Sequence, residues 1–387
     1  MKMKKASSSK SPIKMKSRSS SRASKKAVPA TVRRAFKPKA APAVLERALN
    51  GRTILVTGGA GFIGSNFIRM MLAEYPGLRV INLDKLTYAG NLENLADVSC
   101  DPRYEFIRGD IRDAALVAGC FERVQGVVHF AAETHVDRSI VDAGEFVLTD
   151  VFGTYILLEA LRKAPGVEFF VHISTDEVYG SREKGFFRET DSLNPSSPYA
   201  ASKAGADRMV QAYHTTYGAP TIILRPSNNY GPYQHPEKFI PLFTTHALEG
   251  RSLPLYGKGR NVRDWLHVED NCRAIDGLIR RGRLGEVYNV GANDERTNIE
   301  VARRIVALTG ASRELITFVQ DRLGHDTRYA VNINKIKALG WRREVDFEEG
   351  LEATVRWYME NRAWWTRIKE KSAAFKSFYE SYYKDRK

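Results

Sequence analysis

Apolar residues between positions 52 and 226 occur in short continuous runs that are separated by helical patterns. Strands that are apolar throughout, rather than at every second residue, are typical of a parallel sheet that is buried on both faces. With right-handed helical crossovers, this pattern predicts an α/β fold, a doubly wound parallel sheet of the Rossmann type. The predicted strands lie at 52–57, 79–84, 104–110, 126–132, 168–174 and 220–226, and helices are predicted at 61–73, 149–163 and 199–217.

The pattern changes after residue 226, where Pro and Gly become frequent and the apolar runs shorten. This change favours a cofactor-binding domain at 50–226, followed by a smaller C-terminal substrate-binding lobe at 227–365 whose segments can return to the main sheet. Residues 366–387 keep a helical pattern but turn basic, and we interpret them as an extension.

The formal net charge of +15 is concentrated at the N-terminus, since the first 45 residues hold 14 Lys/Arg and no Asp/Glu. The rest of the chain is close to neutral, so its charge does not indicate a nucleic-acid-binding protein. Residues 1–45 contain too few apolar residues to form a core, and we expect a disordered tail. A solvated tail with weak affinity for polyanions is the favoured interpretation. An organelle-targeting presequence and a dedicated nucleic-acid-binding arm are the alternatives.

The three cysteines, at positions 100, 120 and 272, are scattered and have no metal-ligand spacing. They are typical of reduced thiols, so we expect a cytoplasmic protein that holds no metal. No apolar run is long enough to span a membrane, and we expect no membrane partner.

A glycine-rich stretch, VTGGAGFIGS, connects the first predicted strand to its helix and contains Gly58, Gly61 and Gly64. Such glycines allow a tight turn, close approach of a pyrophosphate and helix–strand packing. Asp84 ends the second strand, where a carboxylate accepts hydrogen bonds from the adenosine ribose and favours NAD over NADP. The stretch therefore predicts an NAD site. The other residues expected at the cofactor are Phe62, Ile63, Asp110, Ile111 and Ala131, with Asp110 equally interpretable as a turn residue.

Tyr199 and Lys203 lie four residues apart at the start of the helix that follows the fifth strand. Residues at this spacing share one helix face. An ammonium group beside the phenol lowers the pKa of the tyrosine, so that the phenolate can remove a proton from a sugar hydroxyl while hydride passes to nicotinamide.

At this point the sequence resembles a known family, the dTDP-glucose 4,6-dehydratases among the extended short-chain dehydrogenase/reductases. The resemblance covers about residues 52–365. The motifs that carry it are TGGAGFIGS, DKLTYAGNLENL, HFAAETHVDRSI, STDEVYG, SPYAASKAGAD, RPSNNYGPYQHPEKFIPL, GRNVRDWLHVEDNCRA and GHDTRYAVN.

The resemblance implies oxidation of a nucleotide-linked glucose at C4, loss of water across C5–C6 and return of hydride to C6. Glu177 then fits the base at C5, Asp176 the acid at the C6 hydroxyl and Thr175 a hydrogen-bond donor to the C4 oxygen. Adjacent residues of a regular strand point to opposite faces, so the Asp-Glu pair must lie where the chain bends after the strand.

The resemblance also implies a site for the nucleotide end of the substrate. Arg263 is the expected diphosphate ligand, although an ion pair with Asp264 or Glu269 is an alternative. For Tyr256, ordinary packing is the alternative. The full set expected at the substrate is Asn228, Lys238, Pro254, Tyr256, Arg263, Asn298 and His325.

Two positions depart from the family pattern. Asp150 stands where the family usually has Asn, and an acid there could disturb the hydrogen bonds beside the active site. Leu323 replaces the usual Pro before Gly-His-Asp, which puts the loop that carries His325 in doubt.

The main hypothesis is an NAD-dependent dehydratase that acts on dTDP-glucose, as a homodimer formed through helices 149–163 and 199–217. The same chemistry on UDP-glucose is a close alternative, because one methyl group contributes only about 1 kcal/mol. A C4-epimerase or a UDP-glucuronate decarboxylase would not need Asp176 as an acid. A polyanion-binding protein with an inactive core is the non-enzyme alternative.

Overall fold

The structure is a computed structural model that describes residues 47–371. The tail at 1–45 and the end of the basic extension, at 372–387, lie outside the described residues, so the expectations for them stay predictions. Within residues 47–371, no helix combines the length and the apolar character needed to cross a membrane.

Twelve strands form three sheets in the described part of the chain. They are β1 (Thr53–Thr57), β2 (Arg79–Asp84), β3 (Tyr104–Arg108), β4 (Gly126–His129), β5 (Phe169–Ile173), β6 (Thr221–Pro226), β7 (Asn228–Tyr230), β8 (Leu253–Tyr256), β9 (Val262–His267), β10 (Val287–Val290), β11 (Glu295–Thr297) and β12 (Ile316–Val319). The largest sheet has seven parallel strands in the order β10-β6-β5-β4-β1-β2-β3. This order confirms the predicted doubly wound fold, and each of the six predicted strands contains an observed one.

The helices connect and cover these strands. They are α1 (Phe62–Glu74), α2 (Ala114–Phe121), α3 (Val136–Val141), α4 (Gly144–Phe146), α5 (Thr154–Lys163), α6 (Pro198–Tyr217), α7 (Phe239–Leu248), α8 (Val268–Arg281), α9 (Asn298–Thr309), α10 (Asn334–Lys337), α11 (Phe347–Glu360) and α12 (Arg362–Lys371). A π-helical segment, Val147–Gly153, joins α4 to α5, so the helix predicted at 149–163 begins earlier and is not regular.

Both faces of the main sheet are covered, as continuous apolar strands require. Ile54 and Val56 of β1 pack with α1 and α8 in one buried cluster, whereas Leu55 between them packs with α2, α5 and α6 in another. The same alternation occurs in β5, where Phe170 faces the second cluster and Val171 the first. Two apolar layers therefore hold the sheet rigidly between helices.

A third buried cluster lies in the C-terminal part of the chain and joins α7, α9 and α11 to β8 and β9. The segment that carries α8 and β10 returns to the main sheet, where β10 pairs with β6. The division at residue 226 stays a prediction, because the C-terminal part contributes to both regions.

Candidate active site

A cavity of about 430 Å³ opens where the parallel strands end, the edge at which doubly wound sheets bind ligands. All of the residues that the sequence predicts for catalysis, cofactor and substrate line this cavity. They come from the loops after β1, β2, β3, β4 and β5, from α6 and from the C-terminal segments after β6. The fold thus brings together residues that are up to 267 positions apart, from Gly58 to His325.

The glycine loop has the tight geometry that the motif predicts. Gly58 has a φ of 72°, and a Cβ at this position would lie 2.6 Å from the Ala131 nitrogen. A Cβ at Gly64 would lie 2.5 Å from the Gly58 oxygen. Helix α1 begins after Gly61 without a side-chain cap, so its first N–H groups and its positive dipole end are open to a ligand. This cradle fits the pyrophosphate of a dinucleotide.

Asp84 lies beside that loop at the end of β2. Its carboxylate accepts hydrogen bonds from the Ala60 nitrogen at 2.9 Å and from the Leu86 nitrogen at 2.8 Å. Burial raises the pKa of Asp84, and these two bonds oppose the rise. A carboxylate can accept about four hydrogen bonds, so Asp84 can accept further bonds from ribose hydroxyls. Asp84 and the glycine loop together fit NAD.

Asp110 has the contact of a turn residue and also lines the cavity, and its expected role at the cofactor stays a prediction. It accepts a turn-type hydrogen bond from the Arg112 nitrogen at 2.9 Å, and it lines the cavity. Burial opposes ionisation, but hydrogen bonds from Arg112 and Lys85 outweigh it and lower the pKa of Asp110 to about 2. Asp110 therefore carries a stable negative charge at the cavity.

The adjacent acids lie in a 3₁₀ turn, Asp176–Tyr179, directly after β5. Thr175 caps this turn, because its hydroxyl accepts a hydrogen bond from the Glu177 nitrogen at 3.2 Å. The turn removes the strand's alternation, so Asp176 and Glu177 both line the cavity. The required bend after the strand is thus present.

The two carboxyl groups have different surroundings. Burial, followed by the charges of Glu177 and Asp264, raises the pKa of Asp176 far above the usual range. Burial also raises the pKa of Glu177, but Arg322, Arg263 and Lys238 oppose this. Asp176 therefore holds a proton more readily than Glu177. One Asp176 oxygen, Oδ2, is buried without a hydrogen-bond partner, which leaves it available to a ligand.

Tyr199 and Lys203 lie on the first two turns of α6, which Ser197 caps through the Ala200 nitrogen. The Lys203 ammonium donates to the Ile173 carbonyl oxygen at 2.7 Å. The expected lowering of the Tyr199 pKa is wrong for this state of the site. Burial, with Glu177 and Asp150 nearby, raises the pKa of Tyr199 well above its usual value. Phenolate formation therefore needs additional positive charge in the cavity.

Asp150 lies in the π-helical segment beneath this pair and is almost fully buried. Its Oδ1 accepts from the Glu133 nitrogen at 2.9 Å and its Oδ2 from the Ser202 hydroxyl at 2.6 Å. Burial raises the pKa of Asp150 to about 6, although the charge of Lys203 opposes the rise. The acid does not disturb the local hydrogen bonds as its departure from the family pattern suggested, because both of its oxygens have partners.

The part of the cavity that the segments after β6 form is cationic. The Lys238 ammonium donates to the Thr134 carbonyl oxygen at 2.6 Å. The Arg263 guanidinium donates to the carbonyl oxygens of Val262 at 2.8 Å and Asp326 at 3.0 Å, rather than to Asp264 or Glu269. The Asn228 Oδ1 is buried without a partner. The guanidinium and ammonium groups can bind an anion, and the Asn228 oxygen can accept a hydrogen bond from a ligand.

Arg322 also lines the cavity, and the sequence analysis missed it. It lies 3.4 Å from Asp137, and although burial alone would lower the pKa of Arg322, the charges of Asp137 and Glu177 raise it. Its position just before Leu323 and the Gly-His-Asp motif was the available signal.

The remaining predicted substrate residues surround this cationic part of the cavity. The Tyr256 hydroxyl donates to Asp137 at 3.0 Å, so packing alone does not explain it. The His325 ring lies edge-on to Tyr256 and bonds Asp321 at 2.6 Å. Leu323 is 76% exposed, and the loop nevertheless brings His325 to the cavity. Pro254 lies in β8 and Asn298 begins α9. Among the described residues, no His, Cys, Asp or Glu cluster has a metal-site arrangement.

Comparison with known proteins finds nucleotide-sugar 4,6-dehydratases among the proteins that this chain is similar to. Residues 55–354 match the family model described as GDP-mannose 4,6 dehydratase. A dTDP-glucose 4,6-dehydratase from Actinoplanes sp. is 52% identical over 81% of this chain and 99% of its own length. A dTDP-glucose 4,6-dehydratase from Escherichia coli is 48% identical over 86% of this chain and 99% of its own. The crystal structure of a Streptomyces venezuelae dTDP-glucose 4,6-dehydratase with NAD and dTDP bound has a TM-score of 0.80, with 53% identity over 82% of this chain and 100% of that one.

The buried acid at position 150 predicts a pH-dependent stability. Between pH about 4 and about 6 the folded chain holds a proton on Asp150 that the unfolded chain has released, so the free energy of unfolding falls as the pH rises. In Asp150→Asn this contribution is absent, and the amide can still donate to the Ser202 oxygen. We expect wild type to lose about 3 kcal/mol relative to the variant across this interval. Urea denaturation of both proteins at matched pH measures the difference, and parallel curves would contradict it.

Proposed function

The chain belongs to the dTDP-glucose 4,6-dehydratase family, and we propose that it converts dTDP-glucose to dTDP-4-keto-6-deoxyglucose as an NAD-dependent hydro-lyase. The observation that carries this proposal is the 3₁₀ turn after β5. It presents Asp176 and Glu177 to the same cavity as Tyr199 and Lys203. An oxidation pair alone can serve many reactions on sugars, whereas two additional acids suit the removal of water.

In the first step Tyr199 accepts the proton of the C4 hydroxyl, and Thr175 hydrogen-bonds the developing ketone oxygen. A bound NAD would supply the acceptor for the C4 hydride and its donor at C6, and its positively charged ring would favour the Tyr199 phenolate. Glu177, which holds the proton taken from C5, is placed to return it to C5 when the hydride reaches C6. Lys203, held by the Ile173 carbonyl oxygen, keeps a second positive charge one helical turn from the phenol.

In the second step Glu177 removes the C5 proton, which the C4 ketone makes acidic, and Asp176 protonates the departing C6 hydroxyl. The surroundings of the two carboxyl groups support this division. Three cationic side chains favour the ionised form of Glu177, and burial beside Glu177 and Asp264 favours the protonated form of Asp176. Environments that separate the pKa values of two titratable groups are typical of acid–base pairs.

For the nucleotide end, we propose that Arg263, Lys238 and Arg322 bind the diphosphate. Their cationic groups line the same part of the cavity, and guanidinium groups suit phosphate oxygens. Asn228, Asn298 and His325 complete the polar lining there. UDP-glucose remains an alternative substrate, because a thymine differs from a uracil by one methyl group.

The buried acids also weigh against an epimerase, a decarboxylase and a polyanion-binding protein. A C4-epimerase or a decarboxylase has no use for an acid at C6, so the protonated Asp176 would be without a role. A polyanion-binding protein with an inactive core would not need all four of Tyr199, Lys203, Asp176 and Glu177 in one cavity.

We also propose a homodimer that works in the cytoplasm. Large apolar side chains are exposed along one helical stretch, with Leu148, Phe152 and Tyr155 at the spacing of one helix face and Val147 beside them. A second copy that packs α5 and α6 against their counterparts would cover this face. The free cysteines fit a reducing compartment.

The first experiment follows the hydride. With dTDP-glucose that carries deuterium at C4, we expect a 4-keto product with deuterium in its C6 methyl group, because the same coenzyme returns what it removed. Mass spectrometry and proton NMR locate the label, and UDP-glucose in a parallel reaction measures the base preference. Deuterium in the solvent, or a C4-epimer without a keto product, would overturn the proposal.

The second experiment separates oxidation from water loss. Asp176→Asn keeps the size of the side chain but removes the acid, so we expect elimination to slow on the order of 10²-fold while C4 oxidation continues. The reduced nicotinamide should then accumulate during a single turnover, and its absorbance measures this. Tyr199→Phe is the matched control, in which oxidation itself should fail. Equal loss of both steps in Asp176→Asn would remove its assigned role.

The third experiment concerns the dimer. Phe152→Glu places a charge in the centre of the exposed helical face, and we expect sedimentation velocity to show monomers where wild type gives dimers. Phe318→Glu, at an apolar residue that is 62% exposed on β12, is the control and should remain dimeric. A monomeric wild type, or a dimeric Phe152→Glu, would contradict the assignment.

A further inference from the structure

The C-terminal helix α12 contacts the cofactor side of the molecule through one indole. The Trp364 Nε1 donates to the Asn94 Oδ1 at 3.0 Å, and both side chains are buried. Asn94 belongs to a 3₁₀ turn, Leu92–Leu95, which lies 270 positions earlier in the chain. The contact therefore joins the end of the described chain to the loop that follows β2.

Asn94 in turn holds the glycine loop. Its Nδ2 donates to the Ala60 carbonyl oxygen at 2.9 Å, and Ala60 lies between Gly58 and Gly61. The orientation of the Asn94 amide is determined by its partners, because an indole N–H only donates and a carbonyl oxygen only accepts. The Ala60 nitrogen donates to Asp84, the acid expected at the adenosine ribose. An uninterrupted series of hydrogen bonds thus leads from Trp364 to both parts of the cofactor cradle.

Aromatic packing supports the same contact from the side. The Tyr233 ring lies 5.9 Å from the Trp364 ring, and the Arg69 guanidinium lies 4.5 Å above the Tyr233 ring. Arg69 is on α1, the helix that begins at the glycine loop, and it also donates to the Asn94 carbonyl oxygen at 2.6 Å. Trp364 therefore packs against the turn that precedes the cavity residues Gln234 and His235, and Tyr233 and Asn94 connect it to Arg69 of the glycine-loop helix.

Ion pairs hold α12 in this position. Arg367 contacts Glu93 at 2.6 Å, next to Asn94, and Lys369 contacts Glu249 at 3.0 Å beyond the end of α7. The first pair is exposed and contributes little, whereas the second is mostly buried. The helix therefore bridges the cofactor side and the substrate side of the molecule.

We propose that Trp364 is a positioning residue for the cofactor: through Asn94 it holds Ala60 and the glycine loop in the geometry that binds NAD, and so slows the release of NAD between turnovers. The inference rests on the proposed function only in taking NAD as the cofactor. A dehydratase that returns its hydride uses the same coenzyme in each cycle, so a slow release benefits this reaction more than it benefits a dehydrogenase.

Two conservative tryptophan substitutions test the proposal. Trp364→Phe keeps an aromatic ring but leaves the Asn94 oxygen without its donor. Trp365→Phe makes the same chemical change in the same helix, where the lost bond goes to the Tyr358 carbonyl oxygen at 2.8 Å and not to the cofactor side. We expect NAD to dissociate about tenfold faster from Trp364→Phe, which corresponds to about 1.4 kcal/mol, and at the wild-type rate from Trp365→Phe.

The readout is the NAD content of the purified protein after timed dialysis, together with the dissociation rate in the absence of substrate. Asn94→Asp is the second variant, because it keeps an acceptor for Trp364 but turns an oxygen towards the Ala60 carbonyl, and it should also release NAD faster. Circular dichroism and the melting temperature check the fold of each variant. The inference would be overturned if NAD dissociated from Asn94→Asp at the wild-type rate, or if it dissociated from the two tryptophan variants at equal rates. Since the assay measures binding alone, it is independent of whether dTDP-glucose is the substrate.

Discussion

Burial of two neighbouring carboxyl groups in one cavity is the constraint on which the site depends. A carboxylate that leaves water loses its hydration, and a second one beside it adds repulsion, so both cannot be ionised cheaply in the same cavity. The 3₁₀ turn after β5 forces Asp176 and Glu177 into that situation, since it ends the alternation of the strand. The repulsion is reduced because the two carboxyl groups have different surroundings, which favour the protonated form of one and the ionised form of the other.

The difference comes from the C-terminal segments. Arg322, Arg263 and Lys238 oppose the rise of the Glu177 pKa, to which Asp326 adds. For Asp176 the opposing cation is Arg263, and the charges of Glu177 and Asp264 add to the rise. The cations that suit a diphosphate therefore also favour the ionised form of Glu177. An anion that binds these cations weakens their effect on Glu177 and raises its pKa, which makes the carboxylate a stronger base.

The sequence predicted the local features well and the distant contacts poorly. Continuous apolar runs are a direct consequence of two-sided burial, so the strands of the doubly wound sheet, the glycine loop and Asp84 could all be found from the chain alone. The pairing of β10 with β6 and the contact of Arg322 with Asp137 depend on distant segments. The sequence indicated only that C-terminal segments can return to the sheet and that Arg322 precedes the Gly-His-Asp motif. The contact between Trp364 and Asn94 likewise depends on distant segments. The pKa of Tyr199 was misjudged because spacing identifies Lys203 as a neighbour but does not measure burial.

The region beneath Tyr199 and Lys203 explains why an acid is tolerated at position 150. Burial disfavours the charge on the Lys203 ammonium, and the nearby carboxyl groups of Asp150 and Asp207 oppose this. His129 and His172, which also lie near Lys203, have pKa values far below the usual range because of burial, so they add no competing positive charge. Asp207 is itself paired with Arg225 at 2.8 Å. The hydrogen bonds of Asp150, in contrast, come from the neutral Glu133 nitrogen and Ser202 hydroxyl. The ionised form of Asp150 thus favours a charged Lys203, and the charged lysine in turn favours ionisation of Asp150, so each of the two buried groups opposes the effect of burial on the other.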